Sequence, residues 1–176
     1  LHPIDLSAQL RHPFFTALEK MGAAIERLNL WDEAGELIGN LKICHQSLKG
    51  ILIDENDVPG LIDELPIIAV LATQANGKTE VSGAEELRVK ECDRIHALCK
   101  NLKKMGADIE ELQDGFIING PTLLKGANIE TFHDHRIAMA FTIAGLVTNG
   151  DVILDHPECA SISFPEFYDV LENLKQ

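Results

Sequence analysis

The ten residues Ala17–Glu26, ALEKMGAAIE, recur with few changes as Asn101–Glu110, NLKKMGADIE. In both copies an amphipathic helical pattern ends at a Gly-Ala pair, and a strand pattern follows it. A weaker second pair consists of two apolar helical stretches that each end at Asn-Gly, at residues 76–77 and 149–150. These recurrences predict that the chain is built from a repeated structural unit.

Working outward from these copies gives a unit with the order βαβαββ, in which an apolar helix alternates with an amphipathic one. A helix that is apolar nearly all round must be buried. The predicted fold class is therefore α/β (α+β), with repeated βαβαββ units packed around buried helices. The predicted helices are 14–21, 67–75, 95–105, 137–147 and 167–174, and the predicted strands are 24–31, 37–43, 48–53, 79–82, 108–112, 116–119, 129–132 and 151–154.

The composition is that of a globular chain, with 45% apolar and 24% charged residues among 176. This length suits one domain with a real core. The net charge of −13 and the lack of a polybasic tract argue against nucleic acid and anionic membranes as partners. The most apolar run, 137–147, is too short to cross a bilayer.

The cysteines show neither metal-binding nor C-x-x-C spacing, and they are Cys44, Cys92, Cys99 and Cys159. They indicate reduced thiols in a cytoplasmic protein. The chain begins with Leu1 rather than Met, and residues 1–12 show no clear pattern. We therefore expect the sequence to be a piece of a longer polypeptide.

The most charged stretch, Arg88–Arg94, has five charged residues among seven and directly precedes an amphipathic helix. One interpretation is a solvated helix start with ordinary surface ion pairs. If the helix already includes Glu91, however, that carboxylate lies on the apolar face and points towards the core. Glu91 would then be a partly buried carboxylate flanked by Lys90 and Arg94.

Two further polar clusters directly precede the apolar helices, at equivalent positions of the repeat: Asp63-Glu64 and residues 133–136, His-Asp-His-Arg. Helix N-termini attract anions. Alternatively, Asp63 and Asp134 simply cap their helices. Arg136 lies in a first helical turn, where the helix dipole disfavours a cation. We therefore expect Arg136 to need a negatively charged partner, such as a bound anion.

Together the three clusters offer two arginines, a lysine, two carboxylates and a histidine, namely Arg94, Arg136, Lys90, Asp63, Glu91 and His135. This set suits a multiply anionic substrate, with an acid and a base close to it. The sequence has no glycine-rich phosphate loop and no local motif for a serine or cysteine nucleophile. The predicted chemistry is proton transfer and group transfer between bound anions, with no metal and no organic cofactor.

Three segments, in this order and spacing, resemble the EPSP synthase (3-phosphoshikimate 1-carboxyvinyltransferase) family: LIDELP at 61–66, LRVKECDR at 87–94 and DHRIAM at 134–139. The resemblance runs from about Pro13 to the end of the chain, and its middle segment is specific. The related UDP-N-acetylglucosamine enolpyruvyl transferases share the repeat but not that segment. The resemblance implies the inside-out α/β barrel of the enolpyruvyl transferases.

The resemblance also implies a reaction. In this family the enolpyruvyl group of phosphoenolpyruvate passes to the 5-hydroxyl of shikimate 3-phosphate through a tetrahedral adduct, and phosphate is released. The reaction belongs to the shikimate pathway of aromatic amino-acid biosynthesis. By this resemblance Asp63 would accept the hydroxyl proton, and Glu91 would handle the proton on the methylene carbon of phosphoenolpyruvate.

The resemblance assigns binding roles to the remaining residues. Lys90 would contact shikimate 3-phosphate, Arg94 and Arg136 would hold phosphoenolpyruvate, and His135 would lie nearby. An arginine fork suits a carboxylate or a phosphate better than a lysine does. Protonation of an alkene carbon needs a carboxylic acid held partly out of water, where its pKa rises. An inward-facing Glu91 would meet that need.

Two features depart from the family's pattern. Some members have a lysine that contacts phosphoenolpyruvate at the position that Ile162 occupies here. In addition, residues 1–176 correspond to most of one domain of a two-domain enzyme whose site lies between the domains. We therefore expect the chain to need the missing N-terminal domain for activity. The alternatives are another enolpyruvyl transferase, such as the UDP-N-acetylglucosamine type, and a non-catalytic anion-binding module.

Overall fold

The structure, a computed structural model, describes residues 4–5 and 12–174. The stretch without a pattern at 1–12 therefore lies almost entirely outside the described residues. The helices are α1 His12–Lys20, α2 Val58–Leu61, α3 Leu65–Gln74, α4 Arg94–Lys104, α5 His135–Ala144 and α6 Phe167–Leu174. The strands are β1 Ile4–Asp5, β2 Ile25–Glu33, β3 Glu36–Ile43, β4 Leu52–Ile53, β5 Gly77–Val81, β6 Asp108–Glu111, β7 Phe116–Gly120, β8 Asn128–Ile129 and β9 Ile153–Leu154. Two 3-10 helices, Glu85–Val89 and Pro157–Ile162, precede α4 and α6.

The middle unit of the chain is complete and has the predicted order β4-α3-β5-α4-β6-β7, with the short α2 inserted after β4. Its strands form one sheet in the order β4-β5-β7-β6. Strands β4 and β5 run parallel, while β7 is antiparallel to both β5 and β6. A parallel pair needs a crossover connection, and α3 provides it. The βαβαββ prediction is confirmed for this unit.

The flanking units are partial among the described residues. The sheet β1-β3-β2 is antiparallel and matches the β5-β7-β6 part of the middle unit, with α1 in the place of α4. The sheet β8-β9 is parallel and matches β4-β5, with α5 as the crossover. The described chain thus contains the last four elements of one unit, a complete unit and the first four elements of a third, with α6 in the place of α4.

Equivalent backbone hydrogen bonds join successive units. The amide of Lys49 donates to the carbonyl of Met21 at 2.8 Å, and the amide of Lys125 donates to the carbonyl of Met105 at 2.9 Å. Met21 and Met105 belong to the two copies of the recurring ten-residue sequence. The sequence recurrence therefore reflects a repeated three-dimensional contact.

The two apolar helices, α3 and α5, pack against each other at the centre of the fold. Ile68 of α3 and Phe141 of α5 are completely buried, as are Ile95, Leu98 and Leu102 on the inner face of the amphipathic α4. The prediction of sheets arranged around buried helices is confirmed.

Three predicted strands are shorter by two or more residues in the structure, and one of them, 151–154, is reduced to β9 at Ile153–Leu154. Of the predicted strand 48–53, only β4 and an isolated bridge between Lys49 and Asn76 are paired. The predicted strand 129–132 ends at Ile129, and Phe132 and His133 have positive φ angles of 55° and 56°. Such angles are incompatible with an extended strand. They turn the chain sharply just before α5.

Candidate active site

Arg94, the first residue of α4, is the centre of a charged cluster. Only 1% of its side chain is exposed. Its Nε donates to Oδ2 of Asp134 at 2.8 Å, and its Nη2 donates to Oε2 of Glu91 at 2.6 Å. A longer contact of 3.4 Å joins Nη1 to Oδ1 of Asp63. Three carboxylates from three separate segments therefore share one buried guanidinium group.

Asp134 is the N-cap of α5 and is completely buried. Its Oδ1 accepts hydrogen bonds from the amides of Arg136 at 2.8 Å and Ile137 at 3.2 Å, while Oδ2 binds Arg94. The capping interpretation of Asp134 is confirmed. The role of Asp134 as the partner of Arg94 was missed, because 40 residues separate the two in sequence.

Asp63 does not cap its helix. Glu64 is the N-cap residue of α3, and its side chain makes no capping hydrogen bond. The Asp63 carboxylate instead lies between the two arginines, with Oδ2 at 3.1 Å from Nη2 of Arg136. Nη1 of Arg136 also donates to the backbone carbonyl of Asp63 at 2.7 Å. Arg136 therefore has a negatively charged partner, as expected, and in this structure that partner is the carboxylate of Asp63 rather than a bound anion.

Glu91 does not face the core. Its side chain is 47% exposed, and it lies before α4 rather than within it. Asp93 is the N-cap of α4 and accepts a hydrogen bond from the amide of His96 at 2.9 Å, so the helix begins at Arg94. The inward orientation of Glu91, which was predicted only for a helix that includes it, was wrong, because the helix begins three residues later at Arg94.

The two remaining predicted residues lie at the periphery of the cluster. His135 is the first residue of α5 and is largely buried, and its Nδ1 lies 3.9 Å from Oε1 of Glu91, beyond hydrogen-bonding distance. Lys90 forms an ion pair with Glu86 in the preceding 3-10 helix. Five of the six predicted residues thus lie within 4 Å of another member of the cluster. The sixth, Lys90, pairs with Glu86, which lies outside the cluster.

A thiol also adjoins the cluster. Sγ of Cys92 lies 3.6 Å from Oδ2 of Asp134. Burial, and next the negative charge of Asp134, raise the pKa of Cys92 to about 12. Cys92 is therefore a thiol at neutral pH and a poor nucleophile.

Metal binding and membrane spanning both lack structural support within residues 4–5 and 12–174. No group of three or more His, Cys, Asp or Glu side chains is arranged there to hold a metal ion. No described helix is long and apolar enough to cross a membrane. An open hollow of about 490 Å³ runs beside α3 and α5, and Asp63 and Arg136 are the predicted site residues that line it. Most of its other lining side chains are apolar, so it is not itself an anion site.

The sequence pattern that defines EPSP synthase, 3-phosphoshikimate 1-carboxyvinyltransferase, matches residues 8–171, nearly the whole chain. The chain belongs to the EPSP synthase family. EPSP synthases with the same curated name include one from Alkaliphilus oremlandii, 50% identical over 159 residues, and one from Sulfurihydrogenibium sp., 45% identical over 166 residues. These alignments cover 90% and 94% of this chain.

Solved structures agree with this membership. An EPSP synthase from Acinetobacter baumannii is 37% identical, with a TM-score of 0.89 over 97% of this chain. The enolpyruvyl transferase NikO from Streptomyces tendae is 16% identical with a TM-score of 0.67, which shows the shared fold alone. The chain spans only 37% and 38% of the two EPSP synthase sequences and 41% of the Acinetobacter structure. The predicted family and the enolpyruvyl transferase fold class are confirmed.

Proposed function

We propose that this chain, most of one domain, forms one side of an EPSP synthase active site. The complete site would transfer the enolpyruvyl group of phosphoenolpyruvate to the 5-hydroxyl of shikimate 3-phosphate and release phosphate. The observation that carries the proposal is the convergence of Asp63, Glu91, Arg94, His135 and Arg136 from three distant segments. Family membership supports the choice of substrates.

Arg94 and Arg136 are the proposed phosphoenolpyruvate ligands. Each guanidinium group has an inner contact that anchors it. Arg94 binds the buried carboxylate of Asp134, and Arg136 binds the backbone carbonyl of Asp63. Their other short contacts are to the half-exposed carboxylates of Glu91 and Asp63, and Arg136 also lies 3.7 Å from Oε1 of Glu64. An incoming carboxylate or phosphate can take over those outer contacts while the inner ones keep each fork oriented.

The same displacement frees the two carboxylates for proton transfer. In the proposed reaction Asp63 accepts the proton of the 5-hydroxyl as its oxygen attacks C2 of phosphoenolpyruvate. Glu91, in its carboxylic-acid form, delivers its proton to the methylene carbon, which gives the tetrahedral adduct. It then removes a proton from the resulting methyl group as phosphate leaves with the proton that Asp63 accepted. His135, 3.9 Å from Glu91, would act near this second carboxylate, and Lys90 would contact shikimate 3-phosphate.

The excess of negative charge around the two arginines supports the proposal that a second domain is needed. Four carboxylates lie around the two guanidinium groups, those of Asp63, Glu64, Glu91 and Asp134. Negative charge is therefore in excess, and a multiply anionic substrate binds poorly to such a cluster on its own. Additional cations from the N-terminal domain of the family would close the site, in the cytoplasmic setting that the four free thiols suit.

The decisive experiment combines this chain with the part of the Alkaliphilus oremlandii enzyme that lies outside the matched region. Phosphate release from phosphoenolpyruvate and shikimate 3-phosphate is measured for the mixture and for each part alone. We expect turnover only in the mixture. Turnover by this chain alone would overturn the requirement for a second domain. A mixture that forms a complex but shows no turnover would overturn the proposed activity.

A matched pair of variants tests the site itself. Arg136→Lys keeps the charge but loses the fork, so it should lower kcat/KM in the mixture by about 100-fold. Arg27→Lys makes the same change in a surface arginine that pairs with Glu19, and it should leave the activity unchanged. Equal effects of the two substitutions would show that the cluster is not the site.

A further inference from the structure

Arg88 lies outside the charged cluster, yet every part of its guanidinium group is bound. Nη1 donates to Oδ2 of Asp93 at 2.7 Å and to Oε1 of Glu111 at 3.1 Å. Nε and Nη2 donate to the backbone carbonyls of Gln113 at 2.7 Å and Leu112 at 2.6 Å. Partial burial on its own would lower the pKa of Arg88, but its bonds to Asp93 and Glu111 outweigh that effect and raise it. Arg88 is therefore a permanent cation with four fixed partners.

The pair of Arg88 and Asp93 closes a short loop. Residues 89–92 lie between these two side chains, and they include Lys90 and Glu91 of the proposed site. Oδ1 of Asp93 accepts a hydrogen bond from the amide of His96, so Asp93 is also the N-cap of α4. The residue that closes the loop therefore also starts the helix whose first residue is Arg94. The guanidinium group of Arg88 thus holds together the two ends of the 89–92 loop and contacts the N-cap residue of α4.

The β6–β7 turn to which Arg88 is anchored is itself fixed to the opposite end of the 3-10 segment. The backbone carbonyl of Asp114 accepts a hydrogen bond from the amide of Ala84 at 2.7 Å, and Oδ2 of Asp114 accepts one from the amide of Gly83 at 2.8 Å. A Cβ atom on Gly115 would lie 1.9 Å from the carbonyl oxygen of Val81, so the turn lies directly against β5. The turn is a rigid support for the segment that carries Lys90 and Glu91.

The third unit provides an internal comparison. Val81 and Leu154 occupy equivalent positions at the ends of β5 and β9, and α4 and α6 both begin thirteen residues later. The position equivalent to Arg88 is then Ser161, whose hydroxyl makes only a local bond to the carbonyl of Glu158 at 2.7 Å. The third unit, whose described part ends at α6 without a counterpart of the β6–β7 turn, therefore has a serine where the middle unit has Arg88. Among the described residues, this arrangement is found only in the middle unit, which also carries Asp63 and Glu91.

We propose that Arg88 is a positioning residue for the enolpyruvyl transfer, which closes the 89–92 loop against the β6–β7 turn and so sets Glu91 relative to Arg94. This role rests on the proposed function, because it matters to catalysis only if Glu91 and Arg94 act on substrate. In this role Arg88 acts through Glu91 and not by contact with substrate.

Kinetics of the two-part enzyme test the catalytic part. Arg88→Gln should lower kcat by about 100-fold, since small misplacements of reacting groups have effects of that size. In a Glu91→Gln background the same substitution should lower kcat by less than about 3-fold, because residues that act as a unit are not additive. Arg88→Lys, which keeps the charge without the four-way contact, should give an intermediate value. Independent, multiplicative effects of Arg88→Gln and Glu91→Gln would overturn the proposal, whereas an inactive wild-type mixture would overturn the proposed function instead.

Amide hydrogen exchange on this chain alone gives a readout that does not need activity. In Arg88→Lys the amides of residues 89–96 and 112–115 should exchange at least about 10-fold faster, while those of α3 and α5 stay unchanged, because only the local closure is lost. Arg27→Lys is the control and should change neither region. Unchanged exchange at 89–96, or a uniform increase over the whole chain, would overturn the proposal.

Discussion

Arg94 and Asp134 form an ion pair that is almost completely shielded from water, with Nε of Arg94 at 2.8 Å from Oδ2 of Asp134. Asp134 also caps α5 through its second oxygen, so one carboxylate joins the starts of two helices. The pair thereby connects the amphipathic helix of one unit to the buried helix of the next. The candidate site is built on this connection.

Removing the carboxylate from this pair should strongly destabilise the fold. Asp134→Ala leaves Arg94 buried without its main partner and is expected to lower the free energy of unfolding by about 3–5 kcal/mol in urea denaturation. Asp57→Ala is the control, since it breaks the exposed pair with Lys20 and should cost about 0–1 kcal/mol. Similar values for the two variants would contradict the structural role of the Arg94–Asp134 pair.

Glu91 should matter more to chemistry than to binding. Glu91→Gln removes the proposed proton carrier, so kcat of the two-part enzyme should fall by about 100-fold or more. The dissociation constant for phosphoenolpyruvate, measured by calorimetry, should change by less than about 3-fold, because the arginine forks remain. Glu110→Gln, an exposed carboxylate on β6, is the control. An unchanged kcat in Glu91→Gln would reject the assigned role.

Asp155 should contribute to stability in a pH-dependent way. Partial desolvation alone would raise the pKa of Asp155, but hydrogen bonds from the amide and hydroxyl of Thr131 and the amide of His156 outweigh it and lower the pKa. The contribution is therefore present above the ordinary pKa of about 3.9 and is lost as the pH falls below it. Asp155→Asn should flatten the plot of unfolding free energy against pH below about pH 4. Asp169→Asn, exposed on α6, should leave that slope unchanged, and an unchanged slope in Asp155→Asn would contradict the prediction.

The four thiols should differ sharply in reactivity. Burial raises the pKa of Cys92 and of Cys99 to about 12 and also raises that of Cys159, whereas Cys44 is exposed. Labelling with a chromogenic disulfide at pH 8 should therefore modify Cys44 alone in the native chain. All four should react after unfolding in urea. A second thiol that reacts as fast as Cys44 in the native chain would show that the cluster around Cys92 is open.

Two equivalent glycines should be equally intolerant of a side chain. A Cβ atom would lie 2.1 Å from the carbonyl oxygen of Lys78 at Gly50, and 2.4 Å from that of Asp151 at Gly126. Gly50→Ala and Gly126→Ala should each lower the free energy of unfolding by about 1–3 kcal/mol, because the backbones must separate. Ser47→Ala, in the exposed loop before β4, should have little effect. A tolerated alanine at either glycine would contradict the repeated close approach.

The sequence was informative wherever a pattern is local. Periodicity predicted α6 at its observed limits and the β6–β7 hairpin to within a residue or so, because each depends on residues close together in the chain. It was wrong about the inward orientation of Glu91, since the helix that would have placed it there begins only after the N-cap residue Asp93. The short α2 and the two 3-10 helices were missed because such brief turns carry no periodic signal.

The repeat, the burial of two apolar helices and the family were therefore determined by the amino-acid sequence alone, since each is encoded in nearby residues or in a recurring motif. The pairing of charges was decided only by the tertiary structure. Asp134 meets Arg94, Asp63 lies between two arginines, and Arg88 is anchored to the β6–β7 turn across 23 to 73 residues of chain. Any of several carboxylates would have matched these arginines by charge, and the packing of the units decided which of them meet.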